Sequence, residues 1–297
     1  MGDTTFASWT TVLAEIALAL HPILIKQLGT TLPTQLLARL GVYSVLAWSL
    51  ARPIDLALSW GSLPTALQSI GLGLMNLVHI GSSYFSYQHL PAGSALALFY
   101  TYPFFNILAG VLFLGDRFDA SLIPLLVAAA IGVVLIARNT QTESAEGEKE
   151  PTNGSKKSVW IGILASFVSA LTETAIFLVA KSGQEHSAWL PILRLYPGAL
   201  AGLLAGTAGG LVSGFDWRSS VWIPMLLFNV FIGFLGYSLR FWSIPRLPTA
   251  VFSVLSFLGV AAGYGWGLLY ANEKPSFGAL AGAGLITASV GLLRTAI

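Results

Sequence analysis

The sequence predicts an all-α membrane protein of ten transmembrane helices, built as two inverted five-helix repeats. Three observations lead there. The 297-residue chain is 55% hydrophobic and 9% charged, with a mean hydropathy of +0.75, whereas about a quarter of the residues in a soluble domain are charged. Apolar runs of about 20 residues, the length a bilayer crossing requires, recur along it. A single long polar stretch, from Asn139 to Ser158, divides the chain into halves whose helices match in order. Alternation of the β-barrel kind is absent, so helices are the way these runs satisfy their backbone groups in lipid.

Proline, glycine and charge punctuation mark off the elements. Helix one is expected from Ala7 to Leu28, stopping at Gly29, and helix two from Pro33 to Leu50, stopping at Arg52-Pro53. The first run is longer than the roughly 7–15 residues of a signal-peptide core, so a retained helix is expected. Helix three spans Leu63 to Gln88. Leu90-Pro91 starts helix four, which ends at Gly115-Asp116-Arg117, and helix five occupies Ser121 to Ala137. Beyond the polar stretch come Val159 to Lys181, Trp189 to Gly209, Val221 to Ser243, Leu247 to Ala271 and Pro275 to Leu293. The expected domains are therefore a first repeat over 1–138, a flexible linker over 139–158 and a second repeat over 159–297. With four Glu, three Lys and little apolar surface, the linker cannot offset the entropy of ordering and is expected to lack regular structure.

The repeat is read from ordered matches. Leu90-Pro91 matches Leu247-Pro248, and at the same offset Leu98 matches Leu255, Gly110 matches Gly267 and Asp116-Arg117 matches Glu273-Lys274. Lys26 and Arg39 match Lys181 and Arg194, and Gly132 matches Gly291. An odd number of spans per repeat inserts the halves oppositely, with the solute path at their interface near the midplane. Basic residues divide seven against eight between the two faces, so the positive-inside rule gives no orientation.

Leu-Pro entering the fourth helix, Pro103 within it, Gly-Asp or Asn-Glu at its end, and a Gly-Val or Gly-Leu helix closing each half form a pattern. Over essentially the whole chain it resembles the EamA-type members of the drug/metabolite transporter superfamily. The resemblance implies ten helices, both termini in the cytoplasm, a central cavity lined mainly by helices one to four and six to nine, and alternating access without ATP. Ala170-Leu171-Thr172-Glu173, with Lys181 eight residues on, is similar to the first helix of small multidrug resistance proteins. There a membrane Glu binds proton and cationic substrate alternately. Leu13-Ala14-Glu15 is similar too, but Lys26 lies eleven residues on, outside that spacing.

An acid well inside a membrane helix costs about 2.5 to 3.5 kcal/mol at the centre, so it turns to the bundle interior or a wet cavity. Glu15 and Glu173 are the two such residues, both placed toward the N-terminal face, where they are candidates to share one cavity. A plain helix–helix hydrogen bond is the alternative. Desolvation penalises the charged carboxylate, so each is expected to hold a proton until a cation displaces it. Asn76 and His79 in mid helix three are candidates for the cavity or for interhelical hydrogen bonds; for His21, nearer an end, the structural role is preferred. Among the dense aromatics, Tyr100, Tyr102, Tyr264 and Trp266 are candidates for a cage around an organic cation, against packing or lipid-facing roles. Arg240, with Trp242 and Arg246, reads as a snorkelling interface anchor. Arg39 and Arg194, near helix ends, are minor candidates for a phosphate or carboxylate clamp. The ladders Gly198, Gly202, Gly206 and Gly259, Gly263, Gly267 permit close backbone contact.

No phosphate loop, metal-spaced His cluster or nucleophile–base pair is present, and the absence of cysteine excludes disulfides and thiol chemistry. The expectation is a non-enzyme without cofactor, metal or nucleic-acid partner, a monomer that carries small organic metabolites, amino acids or cationic compounds, either as a facilitative carrier or as a secondary active one exchanging them for protons. An anion exchanger using Lys or Arg clamps, or a non-transporting protein that keeps the fold, are the alternatives. The topology is directly testable in this cysteine-free chain. Gly2→Cys and Ser144→Cys should react with a membrane-impermeant thiol label from opposite faces, and labelling from one face would remove the inverted repeat.

Overall fold

The computed structural model describes residues 2–90, 92–117, 119–145, 153–182, 187–270 and 276–296, and among them every regular element is helical. Helix α1 (Gly2–Leu18) stops well short of Leu28, and the chain resumes as α2 (His21–Gln27). Pro22 is the cause: it has no N–H for the Leu18 carbonyl four residues back. The His21 ring takes that carbonyl instead, its Nδ1 lying 3.2 Å from Leu18 O. Next come α3 (Leu32–Leu50), the short α4 (Pro53–Trp60) and α5 (Leu63–His89). The connection between helices two and three is thus itself helical, capped by Asp55, which accepts from Arg52 N at 3.2 Å.

Helix four is also broken. It runs as α6 (Ala92–Phe99) and α7 (Tyr102–Ala109), with Pro103 in the first turn of α7, and ends in a π-helical turn over Gly110–Leu114. Gly115 closes it at φ 69°, a conformation that glycine adopts without strain. Then come α8 (Ile123–Ala145) and α9 (Asn153–Ser182), so helix continues into both ends of the polar segment expected to be irregular. Extending a nucleated helix costs little per residue, which offsets the weak propensity there; residues 146–152 lie outside those described. The second half continues as α10 (Trp189–Ala208), α11 (Ser219–Phe228), a π-helical turn over Asn229–Phe234, and α12 (Leu235–Ser243). A 3₁₀ turn, Ile244–Arg246, leads to α13 (Thr249–Ser256), α14 (Leu258–Tyr270) and α15 (Phe277–Ala296).

Seven stretches among the described residues are long and apolar enough to cross a membrane, and Ala120–Ile136 and Phe277–Leu292 are apolar but shorter. Helix α3 is outside that set, because Thr34, Gln35, Arg39 and Ser44 lower its hydropathy; all four are buried within the bundle. Outward faces are apolar, as on α5, where Leu67, Ile70, Leu74 and Val78 are exposed. A surface of that kind suits lipid rather than water.

Four elements, α1, α5, α9 and α12, surround the centre: α1 packs on α12, and α5 on α9 and α10. Glycine sets two of the closest approaches. A Cβ on Gly73 would lie 2.5 Å from Gly198 Cα, and one on Gly132 2.6 Å from Gly282 O, fixing α5 against α10 and α8 against α15. Elsewhere in the ladders, Gly202 meets the Leu74 side chain and Gly263 that of Leu96.

Candidate functional site

The centre of the bundle is charged. Arg240 of α12 is buried, with Nη2 2.6 Å from Glu173 Oε1 on α9 and Nη1 3.7 Å from Glu15 Oε1 on α1. Across from it, His79 Nε2 of α5 faces Glu173 Oε2 at 3.2 Å. Tyr100, at the break between α6 and α7, donates its hydroxyl to Glu15 Oε2 at 3.2 Å, and Tyr102 lies beneath the guanidinium, 5.2 Å from ring centroid to Cζ. Gly259 makes room for this contact, since a Cβ there would stand 1.7 Å from the Tyr100 hydroxyl. The network is only partly satisfied: Arg240 Nε and Nη2, Glu15 Oε1 and Glu173 Oε2 have no aligned hydrogen-bond partner. Charge proximity rather than hydrogen-bond geometry holds the group together.

A second buried cation stands nearby. Arg39 of α3 donates from Nη1 to Tyr84 Oη at 3.2 Å and from Nη2 to Tyr196 Oη at 3.1 Å. Its guanidinium lies 4.7 Å from the Tyr237 centroid and 5.5 Å from that of Tyr43. Among the described residues no carboxylate pairs with it, and Nε has no partner.

Both arginines line one half-enclosed cavity of about 40 Å³, together with His21, His79, Tyr84, Tyr87, Tyr100 and Tyr237. That space holds a few waters, each needing roughly 10–15 Å³ by this measure, and is too small for an organic solute. The two ends of the bundle are tied. Beyond α2, Thr30 donates to Asp216 Oδ2 at 3.1 Å and Asp216 N to Thr34 Oγ1 at 2.7 Å. Hydrogen bonds from Arg218 hold the Asp216 carboxyl well below the usual carboxylate range, so this tie stays charged at neutral pH. At the other end, where Thr11 of α1 meets Ser243 at 2.8 Å, Lys181 donates to the Ile244 and Leu247 carbonyls and Thr249 to Asp116.

Of the residues singled out in the sequence, Glu15, Glu173, His79, Tyr100 and Tyr102 meet at this centre. Asn76 does not: its Nδ2 donates to Leu195 O at 3.3 Å, tying α5 to α10. Tyr264 accepts from Ser276 N at 3.1 Å, and Trp266 donates to Ile16 O at 2.7 Å, so both join helices to one another rather than face the cavity. His21, read as structural, reaches the cavity wall with Nε2 unpartnered. Arg240 is corrected from interface anchor to buried centre. The span containing it extends to Arg246, which places Arg240 more than a turn inside the end; Arg246 itself stacks on Trp242, 4.1 Å from the centroid, as an anchor would. Arg39 is likewise interior, whereas its repeat mate Arg194 donates to Leu58 O at 3.2 Å. The missed signal was register: Gln35, Arg39 and Tyr43 recur at four-residue spacing, as do Tyr237 and Phe241 beside Arg240, putting them on one helical face. Among the described residues, no group of three or more acidic, His or Cys side chains is arranged to hold a metal ion.

No protein-family model matches the chain. Two curated relatives, each a "Pseudopaline exporter CntI" from Pseudomonas aeruginosa, strains UCBPP-PA14 and PAO1, are 26% identical over 291 and 296 residues. Each comparison covers 96% of this chain and 94% of the relative. A solved crystal structure, 17% identical, shares the fold with a TM-score of 0.69 over 98% of this chain and 97% of its own. Exporter relatives and long apolar helices together support an integral, multi-pass membrane protein of transporter type.

Removing one member of a buried charge group leaves the others uncompensated, at a cost of about 3–5 kcal/mol. Arg240→Ala should therefore lower the melting temperature strongly in the native background and much less once Glu15→Gln and Glu173→Gln are also present. Thermal unfolding of the purified variants measures both. Equal losses in the two backgrounds would mean that the three groups are not coupled.

Proposed function

We propose that the chain is an EamA-type secondary transporter that exports a small organic metabolite by alternating access, in exchange for protons. The observation that carries this reading is the Glu15–Arg240–Glu173 group with His79, drawn from α1 and α5 of one half and α9 and α12 of the other, with Arg240 and His79 on the wall of a half-enclosed cavity. Ionisable groups kept inside a membrane bundle are functional candidates by default.

The packing supports the ten-helix inverted repeat. Exchanging helices one to five for six to ten turns the α1–α12 contact into α9–α5, the α7–α9 contact into α13–α1, and the α5–α10 contact into α11–α3; each of these occurs. The α3–α10, α7–α13 and α8–α15 contacts map onto themselves. A pair of halves related in this way rocks about a fixed site near the midplane, and the breaks at Ala19-Leu20, Thr101 and Phe257 give it hinges near that site. The exporter names of the relatives support outward transport of a metabolite.

Coupling follows from the ion pairs. Arg240 already occupies the place expected for a substrate cation, so a proton arriving on Glu173 competes with Arg240 rather than with an empty cavity. Protonation of Glu173 weakens its tie to His79, which joins α9 to α5 across the halves, and lets the halves move; deprotonation restores it. Solute that binds the deprotonated site releases the same tie and excludes the proton, so proton and solute carry the halves across in turn, which is exchange by population shift. Glu173→Gln keeps the shape without the titration. It should fold, and in proteoliposomes carrying a pH gradient it should lose the pH dependence of solute flux, with Glu15→Gln impaired less. Native, pH-dependent flux by Glu173→Gln would remove the coupling role and leave a facilitative carrier.

A further inference from the structure

Arg39 stands out among the buried charges because it is alone. The three-member group sums to one negative charge when ionised, while Arg39, 3% exposed, carries one positive charge with no carboxylate against it among the described residues. The cavity wall carries Arg39 and Arg240 but no carboxylate; Glu15 and Glu173 lie behind Arg240, which they hold, and Arg39 is left as the uncompensated charge facing the space. Four tyrosine rings surround the guanidinium at 4.7 to 5.9 Å and ease its burial without neutralising it. Tyr84 and Tyr196 accept from Arg39, which leaves each hydroxyl proton to donate elsewhere, and Arg39 Nε also has no partner. On the cavity wall, Arg39 and Tyr84 thus have donors to spare and no carboxylate among the described residues faces them.

We propose that this tyrosine-caged arginine is the carboxylate-binding subsite of the transported solute. The inference rests on the transport reading above and names its substrate class: a metabolite carrying a carboxylate, which docks on Arg39. A planar carboxylate matches the fork of a guanidinium, and the phenol protons complete its coordination. Phosphate fits less well. Its second negative charge has no cation to meet, since Arg240 is committed to two glutamates. Arg194, the repeat mate of Arg39, spends its guanidinium on the Leu58 carbonyl, so the site exists in one half only and gives the solute a single orientation.

The test compares matched acids and amides on the purified full-length protein, by thermal shift and titration calorimetry: L-histidine against L-histidinamide, succinate against succinamide, with inorganic phosphate and choline alongside. The acids should bind about tenfold tighter than their amides, or more. Arg39→Lys should weaken acid binding, and Arg39→Gln should abolish the preference for acids over amides. The native protein alone decides the matter if a variant fails to fold. Equal binding of acids and amides, no binding of any acid, a preference for phosphate, or acid preference surviving in Arg39→Gln would each overturn the subsite. Flux of the same compounds in proteoliposomes separates the two readings: acid-selective binding without flux removes transport and keeps the subsite, and flux without acid preference does the reverse.

Discussion

Two carboxylates and a guanidinium taken out of water cost several kcal/mol per ion, and mutual attraction returns this only where geometry and hydrogen bonding are good. Here the Arg240–Glu173 approach is close, but several of the polar atoms have no aligned partner. A bundle selected for stability alone has cheaper fillings of the same volume. What the arrangement supplies is charge-dependent contact between α1 and α12, through Glu15 and Arg240, and between α5 and α9, through His79 and Glu173. The surrounding helices hold their apolar faces to lipid and their serines, tyrosines and histidines to the centre.

Breaks in the helices serve the same end. Pro22 ends α1 just past Glu15 and swings His21 into the cavity wall. Pro103 separates α6 from α7, so that Tyr100 and Tyr102 lie at a bend, one touching Glu15 and the other beneath Arg240. On the facing element, Gly259 follows the interruption at Phe257 and leaves space that the Tyr100 hydroxyl fills. Rigid contact is kept elsewhere, at Gly73 with Gly198 and at Gly132 with Gly282, where backbones touch. Helix breaks therefore sit next to the charges, and the close packing lies away from them.

Much of this was legible from residue type. The acids Glu15 and Glu173 announce themselves because a charge in an apolar run has to turn to the bundle interior. Basic residues mislead, since Arg and Lys near a span end ordinarily snorkel. Arg240 was misplaced because the π-helical turn over Asn229–Phe234 and the 3₁₀ turn over Ile244–Arg246 lengthen that span, changes that no hydropathy pattern records. Chemistry alone makes Tyr264 and Trp266 cage candidates and leaves Asn76 open between the cavity and an interhelical hydrogen bond, whereas each meets a backbone group that only the packing supplies.

The central claim is that the cavity beside Arg240 opens to the two faces of the membrane in turn. Ser83 lines that cavity and is 7% exposed, so a thiol placed there reports its access. With Ser83→Cys in oriented proteoliposomes, the account predicts reaction with a membrane-impermeant reagent added on either face, the balance between faces moving with pH. Reaction from one face only, at every pH, would contradict it.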